Sequence, residues 1–211
     1  PAGIDAVMQR SGSVQPIRVY ASLQGAADPQ DRARRLLAEI DRTKALHRSV
    51  FALFSPTGSG YVNYAACESL EYLTGGDCAS AAIQYSVLPS SLSLTKVGTG
   101  VEQTRMVLDG INARLRDMAP ADRPRFLLFG ESLGSQVSQE IFRGTGIFGL
   151  ETSGIESAIW IGTPNATKWR QEIWGDRSIT VAPEVGPGGA YLPRGLLDLH
   201  ALPQSERVKV R

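Results

Sequence analysis

The sequence contains few of the residues on which several common kinds of site depend. Two cysteines in 211 residues are too few for a disulfide framework or for a zinc site closed by four cysteines. Two histidines leave little choice of general base for an enzyme. Lys and Arg number 22 against 21 Asp and Glu, a net charge of +1, so no field of one sign attracts nucleic acid. We therefore expect no nucleic-acid partner.

Long hydrophobic runs are also missing. No apolar stretch approaches the ~18 residues that a membrane-spanning helix requires. The composition, 42% hydrophobic and 20% charged, is that of an ordinary globular protein. The chain begins at Pro1 without an initiator methionine, and we expect it to be part of a longer protein.

Short apolar runs alternate with segments of helical periodicity along most of the chain. The predicted strands are 16–22, 49–54, 79–87, 125–129 and 155–161, and the alternating run at 207–211 is typical of a further short strand. Such alternation predicts an α/β fold, a mostly parallel sheet with helices on both faces. We expect residues 1–15 to be a flexible segment and 16–211 to be a single domain.

A serine follows the fourth predicted strand directly. Gly130, Ser132 and Gly134 form a G-x-S-x-G pattern, in which the flanking glycines leave room for a sharp turn that exposes the serine hydroxyl. The pattern alone is weak, since chance supplies roughly 0.2 matches in such a chain. Its position between a strand and a helix favours a nucleophile elbow, with Ser132 as nucleophile and the Leu133 N–H facing the oxyanion. The alternative is a helix start that Ser132 merely caps.

An elbow needs a second oxyanion donor from the loop after an earlier strand. Residues 55–60, rich in glycine and serine, leave the second predicted strand. We expect the backbone amide of Thr57 to be that donor, with Gly58 as second choice. An ordinary strand-to-helix turn is the alternative.

The general base is harder to find. In this architecture the order along the chain is serine, then acid, then histidine. His47 precedes a strand and falls at the opposite end of the sheet, whereas His200 follows Ser132 and is the candidate base. Asp198 is only two residues from His200, too close in sequence to act as a triad acid on a separate loop. We expect the chain to lack a complete triad.

Each of three other sequence signals has a simpler structural role as an alternative. Residues 144–149 fit G-x-G-x-x-G but follow a helix rather than a strand, so they indicate a loop that ends a helix rather than a dinucleotide site. Cys67 and Cys78 could be bridged or could be two buried thiols. The tryptophans Trp160, Trp169 and Trp174 suit either of two roles, the lining of an acyl pocket or packing in the core.

Five segments in one order resemble a known family. They are PTGSG at 56–60, EYLTGGD at 71–77, QYSVLPS at 84–90, FGESLG at 129–134 and AIWIGTPN at 158–165. Together they resemble an actinobacterial α/β-hydrolase family whose members carry this catalytic domain behind several N-terminal transmembrane helices. The resemblance covers about residues 16–175. It implies a three-layer α/β-hydrolase-like fold, Ser132 as nucleophile and the loop at 56–60 as oxyanion loop.

The resemblance also implies what this chain lacks. Membrane attachment would come from a segment absent here, and the strands leading to the family's acid and histidine would follow Arg211, so we expect the fold to lack its C-terminal strands. We predict a serine hydrolase or acyltransferase of the esterase or lipase type, acting on an ester or thioester, with no metal or organic cofactor. The resemblance favours lipid-like esters as substrates. The alternative is a non-catalytic binding or scaffolding domain of the same fold. A flavodoxin-like nucleotide binder is disfavoured because no phosphate loop follows the first strand.

Overall fold

Five parallel strands and nine α-helices make up the part of the chain that the computed structural model describes, residues 2–88, 93–175, 189–193 and 196–209. The strands are β1 (Ile17–Ala21), β2 (Val50–Ser55), β3 (Cys78–Ile83), β4 (Arg125–Glu131) and β5 (Ser157–Ile161). The helices are α1 (Ala2–Met8), α2 (Pro29–Arg42), α3 (Tyr64–Thr74), α4 (Val97–Asp117), α5 (Leu133–Glu140), α6 (Gly146–Glu151), α7 (Lys168–Trp174), α8 (Leu196–Ala201) and α9 (Gln204–Arg207).

The strands form one sheet in the order β1-β3-β2-β4-β5, and every pairing is parallel. Every residue of β2 and β3 is buried, because both faces of the central strands are covered by helices. This explains why their sequences are continuous short runs of apolar and small residues rather than alternating ones. The predicted parallel α/β sheet is confirmed.

Two hydrophobic clusters lie on the two faces of the sheet. Along β2, Phe51 and Leu53 belong to the larger cluster, which α2, α4, α5 and α7 cover, whereas Ala52 and Phe54 belong to the smaller one, beneath α3. The division follows from the alternation of side chains along a strand. The result is a three-layer arrangement.

The order of the strands places two connections side by side. From β2 the chain crosses through α3 to β3 on one side, whereas from its neighbour β4 it crosses through α5 and α6 to β5 on the other side. Ser55 at the end of β2 is therefore paired with Gly130 near the end of β4. In open α/β sheets, ligands bind at such a point, where neighbouring connections diverge at the carboxyl ends of the strands.

The two ends of the chain differ from expectation. The predicted flexible segment at 1–15 contains α1, because Ile4 is buried and the Val14 N–H donates to Gly75 O at 3.0 Å. The strand predicted at 207–211 is wrong for its described part. Arg207 ends α9, and its guanidinium donates to Leu202 O at 2.7 Å, so the local turn takes precedence over the alternating pattern. Residues 210 and 211 lie outside the described range.

Among the helices that the structure describes, none has the length and apolar character that a crossing of the bilayer requires.

Candidate active site

Ser132 occupies a strained turn between β4 and α5. Its backbone has φ 54° and ψ −124°, and a positive φ is rare in residues other than glycine. Such strain persists only where the surrounding structure imposes it, and it is concentrated at functional sites. One constraint is the Ser132 N–H, which donates to Ile161 O at 2.9 Å. The strand ends one residue before Ser132 and the helix starts one residue after it, so the predicted strand–serine–helix turn is confirmed.

The glycines on either side of Ser132 are required by close packing. A Cβ on Gly134 would lie 2.1 Å from Ser55 O and 2.6 Å from Pro56 O. At Gly130 it would lie 2.9 Å from backbone atoms of Gly134 and Ser135. Because these neighbours are backbone, no side-chain rotation can relieve the clash. The G-x-S-x-G spacing thus lets α5 start directly against the end of β2.

The first turn of α5 presents a free amide beside the serine. Ser132 O accepts from the N–H groups of Ser135 at 3.0 Å and Gln136 at 3.3 Å. Leu133, the first helical residue, is buried, and its N–H has no acceptor within the helix. The positive end of the helix dipole adds to the attraction of this amide for an anion. The arrangement suits the role predicted for Leu133.

The loop after β2 is a closed turn. One of the two backbone amides predicted to bind the oxyanion is already hydrogen-bonded within it. The Thr57 N–H donates to Tyr61 O at 3.0 Å, and the Gly60 N–H donates back to Thr57 O at 2.9 Å. Gly58 is buried, and its N–H has no hydrogen-bond acceptor among the described residues. The structure therefore favours Gly58 over Thr57, the reverse of the order expected from the sequence.

Three side chains from other parts of the fold hold this loop by its carbonyl groups. Tyr20 Oη donates to Gly60 O at 2.8 Å, Gln84 Nε2 to Ser59 O at 3.3 Å, and Ser93 Oγ to Gly58 O at 3.2 Å. The loop shape is thus fixed before any substrate binds, which suits an oxyanion loop. Sequence reasoning missed these supports, although Tyr20 carries a signal as a polar group near the carboxyl end of a predicted strand.

A model of the family described as "Alpha/beta-hydrolase family" matches residues 17–190. The chain belongs to the alpha/beta-hydrolase family. The match includes all five strands and the elbow, and it confirms the predicted fold and the hydrolase family.

Solved structures add little to this. Two of acetylxylan esterase, one of them an iodinated complex, are similar at a TM-score of 0.41, with 14% and 16% identity. Each match covers 56% of this chain and 64% of the esterase chain, and at this level neither carries an argument about the reaction. A search of curated proteins finds no match.

The histidine that a serine hydrolase needs is not paired with Ser132 in the described residues. His200 lies in α8, exposed, and its backbone carbonyl accepts from Arg207 Nη2 at 2.9 Å. The structure shows no hydrogen bond from its imidazole to a described residue. His47 lies in a single 3-10 turn before β2, at the edge opposite Ser132, as expected. His200 as base stays a prediction.

Asn63 links the start of α3 to the elbow. Its Oδ1 accepts from the Ala66 N–H at 2.9 Å and so caps α3, while its Nδ2 donates to Glu131 Oε2 at 3.1 Å. Glu131 directly precedes Ser132. One amide side chain thus joins the start of α3 to the end of β4, and sequence reasoning missed it.

Asn63→Asp should test this link. The new carboxylate would keep the cap but face Glu131, so we expect unfolding free energy to fall by about 1–2 kcal/mol at pH 7 through like-charge repulsion. Urea unfolding at pH 7 measures the loss, with Asn63→Ser as an uncharged cap control. A loss no larger than that of Asn63→Ser would contradict the contact.

Ser93 supports the same loop from a fully buried position. Besides Gly58 O, its Oγ lies 2.7 Å from Leu88 O and 3.0 Å from Ser86 Oγ, and its relative exposure is 0%. Ser93→Ala leaves these groups short of a partner, so we expect about 1–3 kcal/mol of destabilisation in urea unfolding. The exposed Ser69→Ala on α3 should change stability by less than about 0.5 kcal/mol. Equal stability of the two variants would contradict the network.

The remaining sequence signals are structural. The glycine pattern at 144–149 follows a helix as expected, but the predicted loop is wrong for 146–149, which form the start of α6. Trp169 is fully buried against the rings of Phe142, Trp160 and Trp174, so it belongs to the core rather than to a substrate pocket. No three His, Cys, Asp or Glu side chains of the described residues come together as a metal site would require.

Both cysteines are buried and free, which decides between the two alternatives. Burial raises the pKa of the Cys67 and Cys78 thiols, so little reactive thiolate is present at neutral pH. We expect a disulfide reagent such as DTNB to react with the native protein at least about tenfold more slowly than with the unfolded protein. Without reductant, the unfolded protein should release two equivalents. Fewer than two would indicate a bridge.

Proposed function

We propose that this protein is a serine hydrolase or acyltransferase that cleaves an ester or thioester through an acyl-Ser132 intermediate. The observation that carries the proposal is the strained backbone of Ser132, φ 54°, between β4 and a helix whose first amide is free. The alpha/beta-hydrolase family supports hydrolase chemistry at the coarser level.

The proposed reaction has two steps. Ser132 Oγ bonds to the carbonyl carbon while its proton passes to a general base, for which His200 is the candidate, and the carbonyl π electrons move to the oxygen. The N–H groups of Leu133 and Gly58 donate to this oxyanion. Its collapse breaks the bond to the alcohol or thiol, which takes the proton. Water or a second alcohol then releases the acyl group from Ser132 in the same way.

Apolar side chains around the carboxyl edge of the sheet support an apolar substrate. They are exposed although large, and they come from two connections at this edge, the one after β2 and the one after β3: Tyr61, Tyr64, Val87, Leu88 and Leu94 are 40–66% exposed. Contiguous exposed apolar groups mark interaction sites. We therefore propose esters with hydrocarbon acyl chains as the substrate class.

Hydrolysis of p-nitrophenyl butyrate and decanoate tests the function. We expect turnover of both, faster with the longer chain, and complete loss after one equivalent of a fluorophosphonate per chain. A protein that hydrolyses neither ester and takes up no phosphonate would favour the non-catalytic binding domain. Turnover that survives stoichiometric phosphonylation would contradict an acyl-serine mechanism.

A further inference from the structure

Arg32 is a buried cation that pairs with no carboxylate among the described residues. The residue is 2% exposed, and its contacts are Gln103 Oε1 at 3.3 Å from Nη1 and Ala27 O at 3.2 Å from Nη2. Within the described part of the chain, its Nε has no hydrogen-bond partner. No carboxylate of the described residues forms an ion pair with it. Since a buried charge is costly unless it is paired, this guanidinium is a position where a ligand anion would be stabilised.

The carboxylates nearest to Arg32 on α2 are engaged elsewhere. Asp28 Oδ2 caps the helix by accepting from the Asp31 N–H at 2.7 Å. Asp31 is paired with Arg35 at 2.9 Å, and Glu39 with Arg42 at 2.5 Å. Burial lowers the pKa of Arg32, and the charge of Asp28 opposes that effect only in part.

A cavity of about 260 Å³ lies at the carboxyl end of β1, with Arg32 among its lining residues. Its polar lining includes Ser22, Gly25, Arg32, Arg35 and Glu39. Three strand spacings separate β1 from β4 in the sheet, which is about 14 Å. The cavity is therefore distinct from the site at Ser132.

We propose that this cavity binds a small oxyanion, a carboxylate or a phosphate, on Arg32. The planar guanidinium fork matches the oxygens of both groups, and its Nε–H has no acceptor among the described residues. Arg35, 64% exposed and paired with Asp31, also lines the cavity. The volume suits a ligand of a few heavy atoms.

The cavity is connected to the oxyanion loop by hydrogen bonds. Gln103 Nε2 donates to Gln84 O at 3.1 Å. The Gln84 side chain accepts from the Leu23 N–H at 3.1 Å and donates to Ser59 O at 3.3 Å. The turn at 22–25 beside the cavity and the loop after β2 thus share one side chain. We expect a bound anion to shift the amide resonances of Leu23 and Ser59 together.

Titration with inorganic phosphate and, separately, acetate tests the site, against chloride at matched ionic strength. At ten times its Kd, the binding anion should raise the Tm by about 3–6 °C, and the Tm should rise further only with the logarithm of the anion concentration. Arg34→Gln, an exposed change on the same helix, should keep the full response, and Arg32→Gln should lose it. The anion with the lower Kd identifies the chemical class.

Some outcomes would overturn the proposal. Phosphate stabilises many proteins by exclusion from their surface, in proportion to its concentration, so a linear rise of the Tm that is equal in all variants would mean that no site exists. Absence of any shift in the wild-type protein would do the same. If Arg32→Gln fails to fold, the exposed Arg35→Glu decides, because a negative charge on the cavity wall should weaken binding at least about tenfold. An unchanged Kd in that variant would exclude the cavity.

Discussion

Replacement of Ser132 by alanine is expected to slow reaction with a fluorophosphonate by at least about a thousandfold. The Oγ atom is the proposed nucleophile, and no other atom of the elbow can replace it. Alanine keeps the backbone N–H that donates to Ile161 O. The positive φ at position 132 costs alanine as much conformational free energy as serine. The free energy of unfolding should therefore change by less than about 0.5 kcal/mol.

The labelling rate and the Tm measured on the same samples separate chemistry from folding. Ser69→Ala, on the exposed side of α3, is the matched control and should react at the wild-type rate. A Ser132→Ala protein that is labelled as fast as this control would exclude Ser132 as nucleophile. A variant that loses labelling because it unfolds would show a lowered Tm, which the proposal does not expect.

Gly134→Ala is expected to lower the free energy of unfolding by more than about 3 kcal/mol, or to prevent folding altogether. Helix propensity alone predicts the opposite, since alanine in a helix is favoured over glycine by about 1 kcal/mol. The clash outweighs this gain because the new Cβ would lie 2.1 Å from Ser55 O. The start of α5 or the end of β2 would have to move.

Gly98→Ala provides the control in urea unfolding. Gly98 lies in the first turn of α4, and a Cβ there would have no atom within 4 Å. We expect that variant to be unchanged or up to about 1 kcal/mol more stable. If the two alanine variants had equal stability, the tight approach of α5 to β2 would be wrong, and with it the reason for the glycine spacing.

The elements around the elbow could be predicted because their signals are local. The central strands β2 and β3 are uninterrupted apolar or small-residue runs, and Ser132 stands between a strand and a helix with glycines at the required spacing. The sequence also indicated the loop after β2. Its composition could not tell which amide stays free, since the engagement of Thr57 by Tyr61 depends on how the turn closes.

The supports of the site were not predictable in the same way. Tyr20, Gln84 and Ser93 reach the loop from β1, from the end of β3 and from the segment before α4, so their role exists only once the strand order is known. Helix α1 could not be predicted either, because its buried residue, Ile4, packs only once the rest of the fold is in place. The pairing of Asn63 with Glu131 likewise joins residues 68 positions apart.

The most direct test of the central proposal is to locate the fluorophosphonate adduct by peptide mass spectrometry. Tryptic cleavage after Arg125 and Arg143 gives one peptide, 126–143, that contains Ser132, Ser135 and Ser138. We expect one adduct per chain, with the fragment ions placing it on Ser132. An adduct on any other residue, or no adduct at all, would contradict an elbow with Ser132 as the nucleophile.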